Sequence, residues 1–129
     1  MKYSVVIPVF NEEGNVAKLH AEILVEMKKV GGGFEIIFVN DASTDGTLDV
    51  LKKLSPIIVV DLRRNSGQSA AMDAGIKQAK GDFLITMDGD GQNDPADISK
   101  LLEKMNEGFD VVCGWRYKRK DSFEKRGIR

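Results

Sequence analysis

Five short runs rich in Val, Ile and Phe recur along the 129-residue chain, at residues 3–9, 34–40, 57–61, 83–87 and 110–114, with amphipathic stretches between them. Each run is nearly continuous in hydrophobicity, the pattern of a strand covered on both faces. Val16, Leu19, Ile23, Met27 and Val30 step by three and four, and Ile98, Leu101, Leu102 and Met105 form a second helical stripe. Leu48, Leu51 and Leu54 mark a shorter helix with Ser43 or Thr44 as its N-cap. Residues 68–79 read as an Ala-rich helix in which Ala70, Ala71 and Ala74 permit close approach to a sheet. Gly31, Gly32 and Gly33 stop the first helix before the second strand. Strands alternating with helices predict an α/β fold, a three-layer sandwich around a mainly parallel sheet with right-handed crossovers.

Composition fits one such domain. Hydrophobic residues make up 42% and charged residues 30%, which argues against disordered and fibrous classes. A chain of this length buries roughly two thirds of its unfolded surface, enough for a core without staples. Lone Cys113 excludes an intrachain disulfide and fits a reduced, cytosolic compartment. No apolar run approaches the roughly 20 residues that span a bilayer, and Met1-Lys2-Tyr3 followed directly by a strand is not a signal peptide. The net charge of −1 conceals an acidic body and a basic end: residues 116–129 hold seven Lys or Arg against two acids. That distribution argues against a nucleic-acid binder, because the positive charge is not spread along one face.

In a parallel sheet, ligands bind beyond the carboxyl ends of the strands. Asn11, Glu12 and Glu13 follow the first run; Asp41, Ser43, Thr44 and Asp45 the second; Arg63, Arg64 and Asn65 the third; Asp88, Gly89, Asp90 and Gln92 the fourth. Asp88 and Asp90 form the sharpest pair, since two residues of extended chain advance about 6.5 Å and return to one face. Both carboxylates then approach one Mg²⁺ or Mn²⁺, with diphosphate oxygens completing its shell. The competing reading is an Asp-Gly surface turn. A calcium loop fails, because the sixth and twelfth positions counted from Asp88 are Asn93 and Ser99. Asp41 accepts hydrogen bonds from a nucleobase or ribose, or else caps the helix after it. No phosphate-loop or dinucleotide fingerprint is present. His20, the only histidine, falls mid-helix and reads as structural, and Cys113 reads as core. Trp115 either packs at the strand end or borders a ligand.

Together these segments resemble a known family. Residues 5–13 (VVIPVFNEE), 39–47 (VNDASTDGT) and 87–92 (MDGDGQ) are similar to successive signatures of family 2 glycosyltransferases of the GT-A fold. Residues 64–71 (RNSGQSAA) and 111–116 (VVCGWR) resemble the branch that includes dolichol-phosphate mannose synthase and bacterial polyprenyl-phosphate sugar transferases. The resemblance implies that Pro8, Phe10, Glu12, Val39 and Asp41 line a nucleoside pocket. It implies that Asp88 and Asp90 hold Mg²⁺ or Mn²⁺ against a donor diphosphate, with Gly89 and Gln92 beside it, and that Arg116 contacts phosphate. The implied donor is a UDP- or GDP-linked sugar and the implied acceptor a lipid phosphate, with inverting transfer at the cytoplasmic face of a membrane. Asn40 stands where the family often has Asp, and Gly89 where Ala is common. Members of the family continue into acceptor-side strands and helices, and many carry C-terminal membrane helices. Residues 1–115 are therefore expected to form the donor-binding core and 116–129, with Arg119, Arg126 and Arg129, the start of an acceptor-side region. A chain ending there is expected to transfer sugar weakly or not at all alone. Nothing in the sequence sets an oligomeric state.

Two other classes compete. A receiver-type signalling domain also has five βα units; Glu12, Glu13 and Asp61 loosely supply its acids, but Trp115 and Arg116 stand where its Lys belongs. The other is a binding module that keeps the fold without turnover.

Overall fold

The computed structural model of the chain describes residues 2–87, 95, 98 and 116–119. Its elements are β1 (Lys2–Val9), α1 (Val16–Val30), β2 (Gly33–Asp41), α2 (Thr47–Lys52), β3 (Ile58–Leu62), α3 (Gln68–Gln78), β4 (Phe83–Thr86) and β5 (Arg116–Arg119). They form one sheet in the order β3-β2-β1-β4-β5. The pairs β1/β2, β1/β4 and β2/β3 are parallel, with Val5 opposite both Ile36 and Ile85.

The period-2 alternation of each central strand feeds two cores, as expected for a sheet covered on both faces. Val5, Ile7, Val9, Ile36, Phe38 and Ile85 pack with Leu19, Ile23 and Met27 of α1 and Leu51 of α2. Val6, Ile37, Val39 and Leu84 face the other way, onto Ala71 and Ile76 of α3. The α1 stripe is buried at Val16, Leu19, Ile23 and Met27. At its end Gly31 takes φ 79° and donates its N–H to Met27 O at 3.3 Å, the left-handed stop that a glycine there makes possible. His20 is buried beside that stripe with Nε2 2.8 Å from Pro56 O, a structural contact between α1 and the segment before β3. Of the second stripe, Ile98 is described and fully buried; Leu101, Leu102 and Met105 lie outside the described residues, as do the run at 110–114, Cys113 and Trp115.

The structure differs from the sequence reading at two places in this frame. Residues 116–119, set apart as a basic segment, form a strand antiparallel to β4, the edge strand among the described residues, with Arg116 opposite Thr86 and Arg119 opposite Phe83. Arg-Tyr-Lys-Arg carries no apolar pattern, but charged residues are common on edge strands, where they discourage further pairing. The close approach of α3 is made by Ala71 and Gly75, both buried, while Ala70 faces solvent. A Cβ on Gly75 would stand 2.5 Å from Val6 Cγ1 and 2.7 Å from Val39 Cγ2. Gly75→Ala is therefore expected to destabilise the fold by about 1–2 kcal/mol, the overpacking cost less the helix propensity gained. Urea denaturation checks this, and a midpoint at or above that of the parent chain would contradict the packing account.

Candidate functional site

β1 leads to β2 on one side and borders β4 on the other. The chain's connections diverge between β1 and β4, and their carboxyl ends form the switch point at which open α/β sheets take ligands. Met87 N donates to Val6 O at 3.1 Å across this seam. Pro8, two residues on, turns its ring nitrogen to the same side, beyond the last β1/β4 pair, where no donor is needed. Phe10 leaves β1 here with 45% of its surface exposed, an uncommon position for a large apolar ring.

Two hydrogen-bonded braces fix the loops on the β1 side of the seam. The first joins the loop after β1 to the loop after β2. Asn11, at φ 52°, accepts at Oδ1 from Thr44 N (2.7 Å), Thr44 Oγ1 (3.3 Å) and Asp45 N (3.3 Å), and its own N–H donates to Ser43 Oγ at 2.9 Å. Glu12 N donates to Thr47 Oγ1 at 2.9 Å, and Gly46 N donates to Glu13 Oε2 at 3.2 Å. Asp45 accepts from Thr47 N at 2.9 Å, from the Thr47 hydroxyl and from Glu13 N at 3.4 Å. These bonds, led by that from the Thr47 hydroxyl, hold the Asp45 carboxyl below the usual carboxylate range.

The second brace joins the end of β2 to β3 and the loop after it. Asp41 is buried, and its two oxygens accept from consecutive backbone amides, Ser66 N at 2.7 Å and Gly67 N at 3.1 Å. Asn65 Nδ2 donates to Asp41 O at 3.3 Å, and Asn40 Nδ2 donates to Asp61 Oδ1 at 2.9 Å. Gly67 holds φ 89°, which lets its N–H turn toward Asp41 at the start of α3. The capping role considered for Asp41 is thus corrected: it holds the entry to α3, and Asp45 serves the start of α2. Neither Ser43 nor Thr44 caps α2; Ser43 Oγ receives Asn11 N and Thr44 donates to Asn11.

The residues singled out from sequence fall into three groups. Phe10, Glu12 and Asp41 stand on the braced rim, with the Glu12 carboxylate accepting from Asn15 Nδ2 at 2.7 Å. Pro8 and Val39 are buried beneath it, and Val39, with no exposed surface, packs against α3. Asp88, Gly89, Asp90 and Gln92 lie outside the described residues, directly following Met87 in the chain. The backbone of Arg116 reaches the same rim opposite Thr86. Asn11, Thr47, Ser66 and Gly67 were not singled out individually for these roles. The available signals were an Asn two residues past a strand, a residue type that tolerates the left-handed region, and the Asp-x-Thr spacing of 45 and 47.

A family model described as glycosyl transferase family 2 matches residues 4–129. The chain belongs to that family. Among its relatives is the dodecaprenyl-phosphate galacturonate synthase of Rhizobium johnstonii, 40% identical over 134 aligned residues that take in 99% of this chain and 40% of the relative. The chain thus spans about two fifths of the length of the curated relatives it matches. The fold is also that of TarS of S. aureus in complex with UDP-GlcNAc, with TM-score 0.75, 21% identity and coverage of 99% of this chain and 48% of that one. It is shared equally by the mannosyltransferase PcManGT of Pyrobaculum calidifontis in complex with GDP-Man and Mn²⁺, with TM-score 0.74, 16% identity and coverage of 98% and 46%. A family 2 domain with GT-A architecture leaves no room for the receiver reading. Receiver domains order their strands 2-1-3-4-5, whereas here β3 lies outside β2 and β1 borders β4.

Proposed function

We propose that the chain is the donor-binding part of a glycosyltransferase that moves a sugar from a nucleoside diphosphate to a polyprenyl phosphate. The observation that carries this reading is the braced rim beside the β1/β4 seam, together with the sequence that follows β4. The rim is partly apolar and carries Phe10 and Asp41; in the chain, the Asp88-Gly89-Asp90 sequence follows β4 after one residue. Likeness to the dodecaprenyl-phosphate galacturonate synthase supports a polyprenyl phosphate acceptor, and the two structural neighbours support a nucleotide-sugar donor, one with a UDP-sugar and one with a GDP-sugar.

Phe10 offers a ring face to the base or ribose. The carboxylate of Asp41 can accept from a base or ribose donor while its two amide bonds stay in place, since each oxygen has a second lone pair. Asp88 and Asp90 supply hard carboxylate oxygens, a donor set that suits Mg²⁺ or Mn²⁺ bound together with diphosphate. Such an ion, when bound, offsets the negative charge that develops on the leaving diphosphate. Arg116 adds a fixed positive charge for phosphate of donor or acceptor. In the transfer, a phosphate oxygen of the lipid forms a bond to the sugar's anomeric carbon as the bond from that carbon to the diphosphate oxygen breaks. The attacking oxygen is already anionic, so no strong general base is required, which accords with the structural place of His20. A polyprenyl acceptor implies work at a membrane surface, the cytoplasmic one if nucleotide sugars supply the donor. Among the described residues no helix is long and apolar enough to cross a bilayer.

Saturation-transfer NMR with UDP- and GDP-sugars in the presence of Mg²⁺ tests the donor assignment. The base and ribose protons of at least one donor are expected to receive the strongest transfer. Absence of transfer to every nucleotide sugar would contradict the proposal.

A further inference from the structure

We propose that Asn11 is a positioning residue that sets the distance between Phe10 and Asp41 and thereby tunes nucleotide affinity without touching the nucleotide; this rests on the nucleotide-site reading above. Asn11 is exposed, yet its side-chain oxygen and its backbone N–H are both committed within the protein. Its Oδ1 gathers three donors from Thr44 and Asp45, the shortest at 2.7 Å, while its N–H donates to Ser43 Oγ. Those partners lie 32 to 34 residues away in sequence, so one side chain locks two strand-end loops together. Its neighbours in the chain are Phe10, exposed, and Glu12, half-buried, and Asp41 lies two residues before Ser43. At its left-handed φ of 52° the side chain meets Thr44 and Asp45 of the second loop, and Asn is among the few residues that adopt this φ readily. A shift of about 1 Å in this brace moves Phe10 relative to Asp41, and errors of that size in positioning groups carry large losses.

The two properties of Asn11, its φ and its acceptor, separate cleanly by substitution. Asn11→Gly keeps the backbone conformation and removes the acceptor, whereas Asn11→Asp keeps both. Calorimetric titration of UDP and GDP with Mg²⁺ is expected to show affinity about tenfold weaker in Asn11→Gly and within about threefold of the parent in Asn11→Asp. Amide hydrogen exchange at Thr44 and Asp45 is expected to quicken in Asn11→Gly and to return toward the parent rate in Asn11→Asp. Parent-like affinity in a folded Asn11→Gly chain, or equal weakening in both variants, would overturn the positioning role. If the parent chain binds neither nucleotide, the nucleotide reading fails instead. The exchange rates then decide the brace alone, and unchanged protection in Asn11→Gly would overturn it too.

Discussion

Asp41→Asn is expected to destabilise the fold almost as much as Asp41→Ala, by about 2–3 kcal/mol, although Asn is nearly the same shape. The reason lies in the count of acceptors. Each carboxylate oxygen of Asp41 receives one backbone N–H, from Ser66 at 2.7 Å and from Gly67 at 3.1 Å. A carboxamide has one acceptor, and its NH₂ must face the second donor across the same short gap. Bonds to an ionised acceptor are worth about 1.5–3 kcal/mol each, but Ser66 and Gly67 are exposed, so water takes over part of the loss. The estimate therefore lies below the sum of two such bonds. Urea denaturation of the parent, Asp41→Asn and Asp41→Ala chains checks it. An Asp41→Asn midpoint indistinguishable from the parent would show that the two amides are held by something other than charge and acceptor number. Release of the loop at residues 63–67 is also expected to weaken nucleotide binding in both variants, because this loop and Asp41 form one rim.

Much of this frame was legible in the sequence because period and burial are local properties of the chain. The alternation of Val5, Val6 and Ile7 determines which residue joins which core, and the steps of α1 determine its buried stripe. Motif spacing directs attention to the strand ends, since these deliver their next residues to one side of a parallel sheet. What escaped depended on tertiary partners. Asp41 reaches amides 25 and 26 residues away, and nothing in VNDASTDGT distinguishes that clamp from a cap on the adjacent helix. β5 escaped because its sequence shows charge and no periodicity, and its place beside β4 is decided by pairing across about 30 residues of chain. Val39, which the motif places at the pocket, has its side chain in the core against α3, a burial set by the pleat and not by the motif.

The central claim is that the crevice between β1 and β4 is a metal-dependent nucleotide site, with Asp88 and Asp90 as the metal-binding pair. Both residues are expected to act together, since a divalent ion of the Mg²⁺ type takes one or two carboxylates and leaves its other positions to water and phosphate. Residues one shell removed from a metal already alter its affinity by about 10–100-fold, so loss of a direct ligand is expected to weaken nucleotide binding by about 100-fold or more. Asp41→Asn acts through loop position and so leaves a metal response, whereas loss of either member of the pair removes it. Titration calorimetry of UDP and GDP, with Mn²⁺ and then with chelator, on the parent, Asp88→Ala and Asp90→Ala chains measures this most directly. The account predicts that Mn²⁺ strengthens binding of at least one nucleotide to the parent, that chelator abolishes the gain, and that neither variant shows it. Equal affinities for the parent and both variants in the presence of Mn²⁺ would contradict it.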